Sequence, residues 1–218
     1  MNFLRKTFRY NFFNASLVIM GINVAAYFLI STFKLNTSLL GLNVAGFIYG
    51  KLFWQAVTYM FVHGSTTHLL FNMLGLVFFG LSVEKAIGSK EFLLMYFSIG
   101  ILSGLFSIAV YYFLGLKVVG MGYVPRIYYT SLIGASGAIY GMLFAFAVIF
   151  PKTSIYVWGI IPVPAPILIL VYAVIEFLSQ FMTYSSVAHL THLAGFGIAW
   201  LYFVVRMGIN PLKIWLNK

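Results

Sequence analysis

Six apolar runs dominate the chain, at about 15 to 33, 67 to 84, 92 to 116, 133 to 150, 160 to 181 and 187 to 207. Each is close to the ~20 mostly apolar residues that an α-helix needs to cross a hydrocarbon core. Lipid offers no water to backbone N–H and C=O groups, so a spanning segment must satisfy them internally, as a helix does. Composition agrees: 62% of the 218 residues are hydrophobic and 7% are charged, with a mean hydropathy of +1.01. An ordinary soluble globule is excluded. The expectation is an all-α polytopic membrane protein with six transmembrane helices, forming one membrane domain over 1–218. It divides into a short N-terminal segment 1–14, a core of about 15–207 and a tail 208–218.

The first run follows Arg5, Lys6 and Arg9, as a signal sequence would. It exceeds the length of a signal core and lacks a clear small-residue cleavage site, so it reads as a retained helix. Within 34–66, the stretch LLGLNVAGFIYG reaches only about 12 residues before Lys51, short of a span. Trp54, Tyr59 and Phe61 follow, and aromatic rings favour the membrane interface. This region is therefore expected to be a structured first loop, partly embedded in the membrane.

A net charge of +10 invites a nucleic-acid reading, but the basic residues are scattered singly and report topology first. A cytoplasmic N-terminus puts Arg5, Lys6, Arg9, Lys85, Lys90, Lys152, Arg206, Lys213 and Lys218 inside, and Lys34, Lys51, Lys117 and Arg126 outside. That bias favours an even number of spans with both termini cytoplasmic, and the composition suits a bacterial inner membrane best. Cysteine is absent, which removes disulfides, thiol nucleophiles and thiolate metal sites. No HExxH and no Asp occur, so neither a metal protease nor a cofactor is expected. The expected partners are lipid and other membrane segments, not nucleic acid.

Polar groups inside a bilayer are costly and face the bundle interior. His68 and Asn72, four apart in HLLFN, share one helix face. Ser136 opens the fourth span in GASGAIYG, and His192 lies early in the sixth in AHLTHLAGFGIAW. Spans two, four and six run in the same direction, so a rise of 1.5 Å per residue puts all four within roughly 10 Å of one depth. Gly137 with Gly141, and Gly195 with Ala199, are small-residue strips that let helices approach closely. Pressing spans four and six together along them brings Ser136 near His192.

Serine becomes a useful nucleophile when a base takes its proton, and His192 can be that base. The expected pair is a Ser-His dyad. His68, the Asn72 amide and the Ser136 backbone N–H could aim at a developing oxyanion, and Tyr140, one turn after Ser136, could pack on the imidazole. His189 is expected to face water or a loop carbonyl, and His63 to make a structural hydrogen bond in the first loop. Glu176, near the outer end of span five, reads as a protonated or interhelically bonded carboxyl or a third triad member, the latter disfavoured because span five carries no sign of which way it faces.

Three segments together, HGSTTHLLFN with VEKAIGS behind it, GASG with Tyr140, and AHLTHLAGF, resemble the rhomboid family of intramembrane serine proteases over roughly residues 50 to 205. The resemblance implies a six-helix bundle with a water-filled cavity, Ser136 as nucleophile, His192 as base, His68 and Asn72 assisting the oxyanion, and Gly134 in the GASG motif. It also implies that Glu84 anchors the inner end of helix two, that 34–66 is the embedded first loop, and that span five and the 182–187 connection form a gate and cap. The substrates implied are transmembrane segments of membrane proteins. One departure is visible: the family often has Trp-Arg in the first loop, whereas Trp54 is followed by Gln55, which bears on loop bracing or substrate handling rather than chemistry. The residues leave two other classes open, a non-catalytic rhomboid-like protein that binds membrane clients and a small transporter using His192 and Glu176.

Overall fold

The computed structural model describes residues 5, 7–121, 123–157, 159–182 and 186–216. Among these, six long helices follow one another: α1 (Ala15–Thr32), α2 (Thr66–Ile87), α3 (Ser89–Val119), α4 (Ser136–Ile149), α5 (Ala165–Met182) and α6 (Ser186–Tyr202). A short α7 (Pro211–Leu216) follows. Ala15–Thr32, Thr66–Ile87, Ser89–Leu116 and His189–Met207 are long and apolar enough to cross a membrane, while Ser136–Ile149 and Ala165–Ser179 are shorter apolar helices. Phe28, Phe71, Phe113 and Phe181 are among many large apolar side chains left on the outside. An apolar exterior of this extent suits lipid rather than water. The chain is a polytopic helical membrane protein.

α4 lies at the centre. Ten of its 14 residues are buried, and α3 packs beside it where Ile99 meets Gly141 and Gly100 meets Ala138. Two carboxylates fix one end of the bundle. Glu84, near the end of α2, accepts hydrogen bonds from Ala15 N and Ser16 N at 2.6 and 2.9 Å, from Ser16 Oγ at 2.6 Å and from Ser89 Oγ. It thus satisfies the free N–H groups at the start of α1 and ties α1 to the start of α3. Glu91, in the first turn of α3, takes a bidentate pair from Arg206 Nε and Nη2 at 2.9 and 3.0 Å, together with Tyr202 Oη and Phe8 N. These contacts gather the starts of α1 and α3 with the ends of α2 and α6 at one end of the bundle.

One part of the chain departs from the expected outline. Span five does not begin at 160. Strands β1 (Ser154–Val157) and β2 (Ile161–Pro164) pair antiparallel, with Val157 opposite Ile161 and Ser154 opposite Pro164, and α5 starts at Ala165. Alternating β-branched residues around Gly159 (φ +71°) form a hairpin. Pro162 and Pro164 lack the N–H that a continuing ladder or helix would use. An unbroken apolar run conceals that change of structure. Of the 182–187 connection, 183–185 lie outside the described residues.

The first loop is structured, as expected, and its contacts answer the Gln55 departure. Gln55 is fully buried; its Nε2 donates to Ser38 O at 2.9 Å and its Oε1 accepts from Asn43 N at 3.4 Å. Trp54 Nε1 donates to Leu39 O at 2.9 Å and Thr58 Oγ1 to Leu40 O at 2.6 Å. A neutral amide, one donor and one acceptor, braces this loop. Leu42 and Leu132 then exchange backbone hydrogen bonds of 3.0 and 2.8 Å, which moors the loop to the segment leading into α4.

Removing the Glu84 carboxylate strands several buried donors at once. Glu84→Ala is expected to destabilise the purified protein by roughly 3 kcal/mol or more, each charge-assisted bond contributing about 1.5–3 kcal/mol. Glu84→Gln should fall between it and the wild type. Thermal unfolding in detergent reads the difference, and an unchanged midpoint for Glu84→Ala would contradict the anchoring role.

Candidate active site

Ser65 begins the construction: its Oγ accepts from His68 N at 3.1 Å, capping α2 and holding His68 and Asn72 one turn apart. On the facing segment, Gly134 has φ +104° and its N–H donates to Tyr59 O at 2.8 Å. A Cβ there would stand 2.6 Å from His68 Nε2. Both the left-handed backbone and the His68 ring therefore demand glycine. Ser136 is the first residue of α4, where N–H groups have no intrahelical acceptor.

Close packing of α4 and α6 sets the rest. Gly195 lies against the backbone of Gly137 and Gly141, and a Cβ on it would collide with the Gly137 carbonyl oxygen. Gly141 in turn faces Gly195 O and Ile99 of α3, and Ala199 continues the strip fully buried. At this approach His192 Nε2 stands 2.8 Å from Ser136 Oγ. Tyr140 stacks on the His192 ring, with centroids 4.1 Å apart and planes 8° from parallel. The cavity in front of the pair has a volume of about 260 Å³ and is lined by His68, Asn72, Ile133, Ser136, Tyr140 and His192 among others.

Glu176 completes the cluster. It is buried, its Oε1 lies 3.0 Å from His192 Nδ1 and accepts from Tyr140 Oη, and its Oε2 lies 2.5 Å from His189 Nδ1. His189 thus turns to a carboxylate rather than to water or a loop carbonyl. The disfavoured third member sits at hydrogen-bonding distance from the imidazole. No local signal reveals this, since α5 is apolar nearly all round.

The oxyanion candidates are less uniformly aimed. Asn72 Nδ2 donates to His68 O at 2.8 Å, and its Oδ1 is buried without a partner among the described residues. His63 departs from expectation: both of its ring nitrogens are buried without a hydrogen-bond partner there, and the ring lies edge-on to His68 with centroids 5.1 Å apart. Burial, reinforced by the neighbouring His68, holds His63 down at a pKa of about 4, so it is neutral at physiological pH. A second groove of about 640 Å³ runs between α2 and α5, lined by Phe71, Phe78, Ile139, Tyr140, Leu168 and Tyr172 among others. It shares Phe71, Ile139 and Tyr140 with the cavity at Ser136.

Fold and site together describe a polytopic helical membrane protein with a hydrogen-bonded serine, histidine and carboxylate at one end of its bundle. Residues 50–208 match the family model described as the Rhomboid domain, and the chain belongs to the rhomboid family. It is 30% identical to rhomboid protease AarA of Providencia stuartii over 147 residues, covering 64% of this chain and 52% of that protein. Against RHOMBOID-like protein 4 of Arabidopsis thaliana it is 28% identical over 183 residues, 82% of this chain and 40% of the relative. The putative rhomboid protease YdcA of Bacillus subtilis is 30% identical over 99 residues, 44% of this chain and 42% of that one. The chain thus spans about half or less of the length of these relatives.

The helix contact can be tested by a pair of substitutions on α6. Gly195→Ala should destabilise by about 1–3 kcal/mol, the usual cost of overpacking. Nothing lies within 4 Å of a Cβ on Gly197, so Gly197→Ala should be neutral or stabilising by up to about 1 kcal/mol through helix propensity. Thermal unfolding distinguishes them, and equal shifts would rule out the close approach as the cause.

Proposed function

We propose that the chain is an intramembrane serine endopeptidase that cleaves membrane-protein substrates in or beside a transmembrane segment. The observation that carries this reading is the 2.8 Å contact between His192 Nε2 and Ser136 Oγ, made at the mouth of a cavity inside an apolar bundle. His192 takes the Ser136 hydroxyl proton as Oγ attacks the scissile carbonyl carbon. The same imidazolium then protonates the departing amine, and a water activated by His192 hydrolyses the acyl-enzyme. The Ser136 N–H, with His68 and the second amide hydrogen of Asn72, stabilises the oxyanion.

Glu176 is a positioning residue for this reaction. By accepting a hydrogen bond from His192 Nδ1 it fixes the tautomer whose Nε2 lone pair faces Ser136, and its charge offsets the imidazolium that forms. Tyr140 holds the ring plane and the carboxylate together. The groove between α2 and α5, which shares Phe71, Ile139 and Tyr140 with the lining of the cavity at Ser136, suits an apolar segment entering from the membrane. Such a segment must unwind to expose its scissile carbonyl, which favours small or helix-breaking residues near the site. The distribution of Lys and Arg supports cytoplasmic termini and an outward-facing Ser136 end, and the apolar composition suits a bacterial inner membrane.

Purified protein incubated with single-span model substrates tests the reading. Ser136→Ala and His192→Ala should each reduce cleavage to background while thermal stability stays close to wild type; wild-type cleavage by the Ser136→Ala protein would refute the mechanism. A serine-directed phosphonate should label the wild type at Ser136.

Glu176→Gln separates the positioning role from simple bracing. It is expected to lower kcat by roughly 10²-fold or more with little change in KM, since a lost or inverted hydrogen bond at Nδ1 affects the transition state. A wild-type kcat would leave Glu176 as an interhelical brace only.

A further inference from the structure

Two histidines on one helix flank one carboxylate from another. His189 and His192, three residues apart on α6, present Nδ1 to Glu176 of α5, one to each carboxylate oxygen. Taking one ligand atom from each residue, these donors all lie within 4.8 Å of one another. In a tetrahedral Zn²⁺ site with bonds of about 2.1 Å, neighbouring donors stand about 3.4 Å apart. Binding asks the donors to adjust from their present spacing, within 4.8 Å of one another, to that one. The donor set, two imidazoles and one carboxylate, is one that borderline first-row cations such as Zn²⁺ and Co²⁺ accept. Tyr140 Oη donates to Glu176 Oε1, the kind of supporting contact that orients a carboxylate ligand. The His189 side chain is 23% exposed, so the cluster reaches the surface at this residue.

We propose that Glu176, His189 and His192 form an inhibitory divalent-cation site of the Zn²⁺ class, which switches the enzyme off by capturing His192 Nδ1. The inference rests on the reading of His192 as the base. With Glu176 as its acceptor, the neutral ring carries its hydrogen on Nδ1 and turns the Nε2 lone pair to Ser136. A cation at Nδ1 binds through that nitrogen's own lone pair, which requires the Nδ1 proton to leave, so the single ring hydrogen of the neutral imidazole then sits on Nε2. Nε2 then donates to Ser136 Oγ and can no longer accept its proton. The cation also occupies Glu176, which leaves nothing to offset an imidazolium. No ligand is borrowed from outside the cluster, and Ser136 itself is not needed for binding.

Binding is measured without proteolysis. The Ser136→Ala protein in detergent, titrated with Co²⁺, should gain the visible absorption of tetrahedral Co²⁺ at one equivalent, and Zn²⁺ should displace it. In that background His189→Ala, His189→Asn and Glu176→Gln should each weaken Co²⁺ binding at least about tenfold, with size-exclusion elution reporting that the variants remain folded. For the wild type, free Zn²⁺ at about ten times its Kd should lower the cleavage rate about tenfold by saturation, and a chelator should restore it. The His189→Ala protein, referred to its own metal-free rate, should resist. Absence of Co²⁺ absorption, or equal Zn²⁺ inhibition of wild type and both folded His189 variants, would overturn the site. One-equivalent Co²⁺ binding lost in those variants supports it even if the wild type cleaves nothing, an outcome that would instead overturn the protease reading.

Discussion

The contact of Gly195 with the backbone of Gly137 and Gly141 is the constraint from which the rest of the site follows. Helices in lipid gain nothing from hiding apolar surface from one another, so their association depends on packing and on polar contacts. Without side chains at these positions α4 and α6 come near enough for the Gly137 carbonyl to occupy the space of a missing Cβ on Gly195. Ser136 and His192 lie beside that crossing. Their 2.8 Å contact is therefore set by backbone approach, and neither side chain has to stretch to make it. Tyr140, one turn further along α4, reaches the His192 ring for the same reason.

Scarcity of charge gives the remaining order. The chain has three acidic residues, and each is surrounded by donors. Glu84 and Glu91 gather the ends of α1, α2, α3 and α6 at one end of the bundle through backbone N–H groups, serines and Arg206. Glu176 works at the other end with Tyr140, His189 and His192. A carboxylate in an apolar surround is tolerable only when its lone pairs are met. The same requirement makes Glu84 and Glu91 staples between helices, and makes Glu176 a receptor for whatever donors α4 and α6 present.

How far each feature could be read in advance depends on what helical repeats encode. Depth is encoded: Ser136, His192, His68 and Asn72 lie near the starts of helices that run in one direction, so counting residues places them in one layer. Close approach is encoded too, by glycines four apart on α4. Azimuth is not. α5 meets lipid on one side and protein on the other, both apolar, so no periodicity says that Glu176 points at His192 or that His189 turns to meet it. The hairpin at 154–164 was hidden for a related reason, because alternation among apolar residues vanishes when both faces are apolar. Gln55 shows a third limit. A change from the expected Arg is visible, but that an amide can brace the loop through Ser38 and Asn43 depends on a fold around it.

The outward residues of α5, Ile167, Leu170, Val174, Phe177, Leu178 and Phe181 among them, are exposed. Its inward side is Ala165, Leu168 and Ile169 at the start and Glu176 further along. In its later half, Glu176 ties α5 to Tyr140, His189 and His192. These contacts both help dock α5 and hold the imidazole. Any displacement that carries Glu176 away removes the acceptor from His192 Nδ1, and the ring is then free to adopt the tautomer whose Nε2 carries hydrogen. If His192 is the base, as proposed, its tautomer and the seating of α5 are coupled through this one carboxylate.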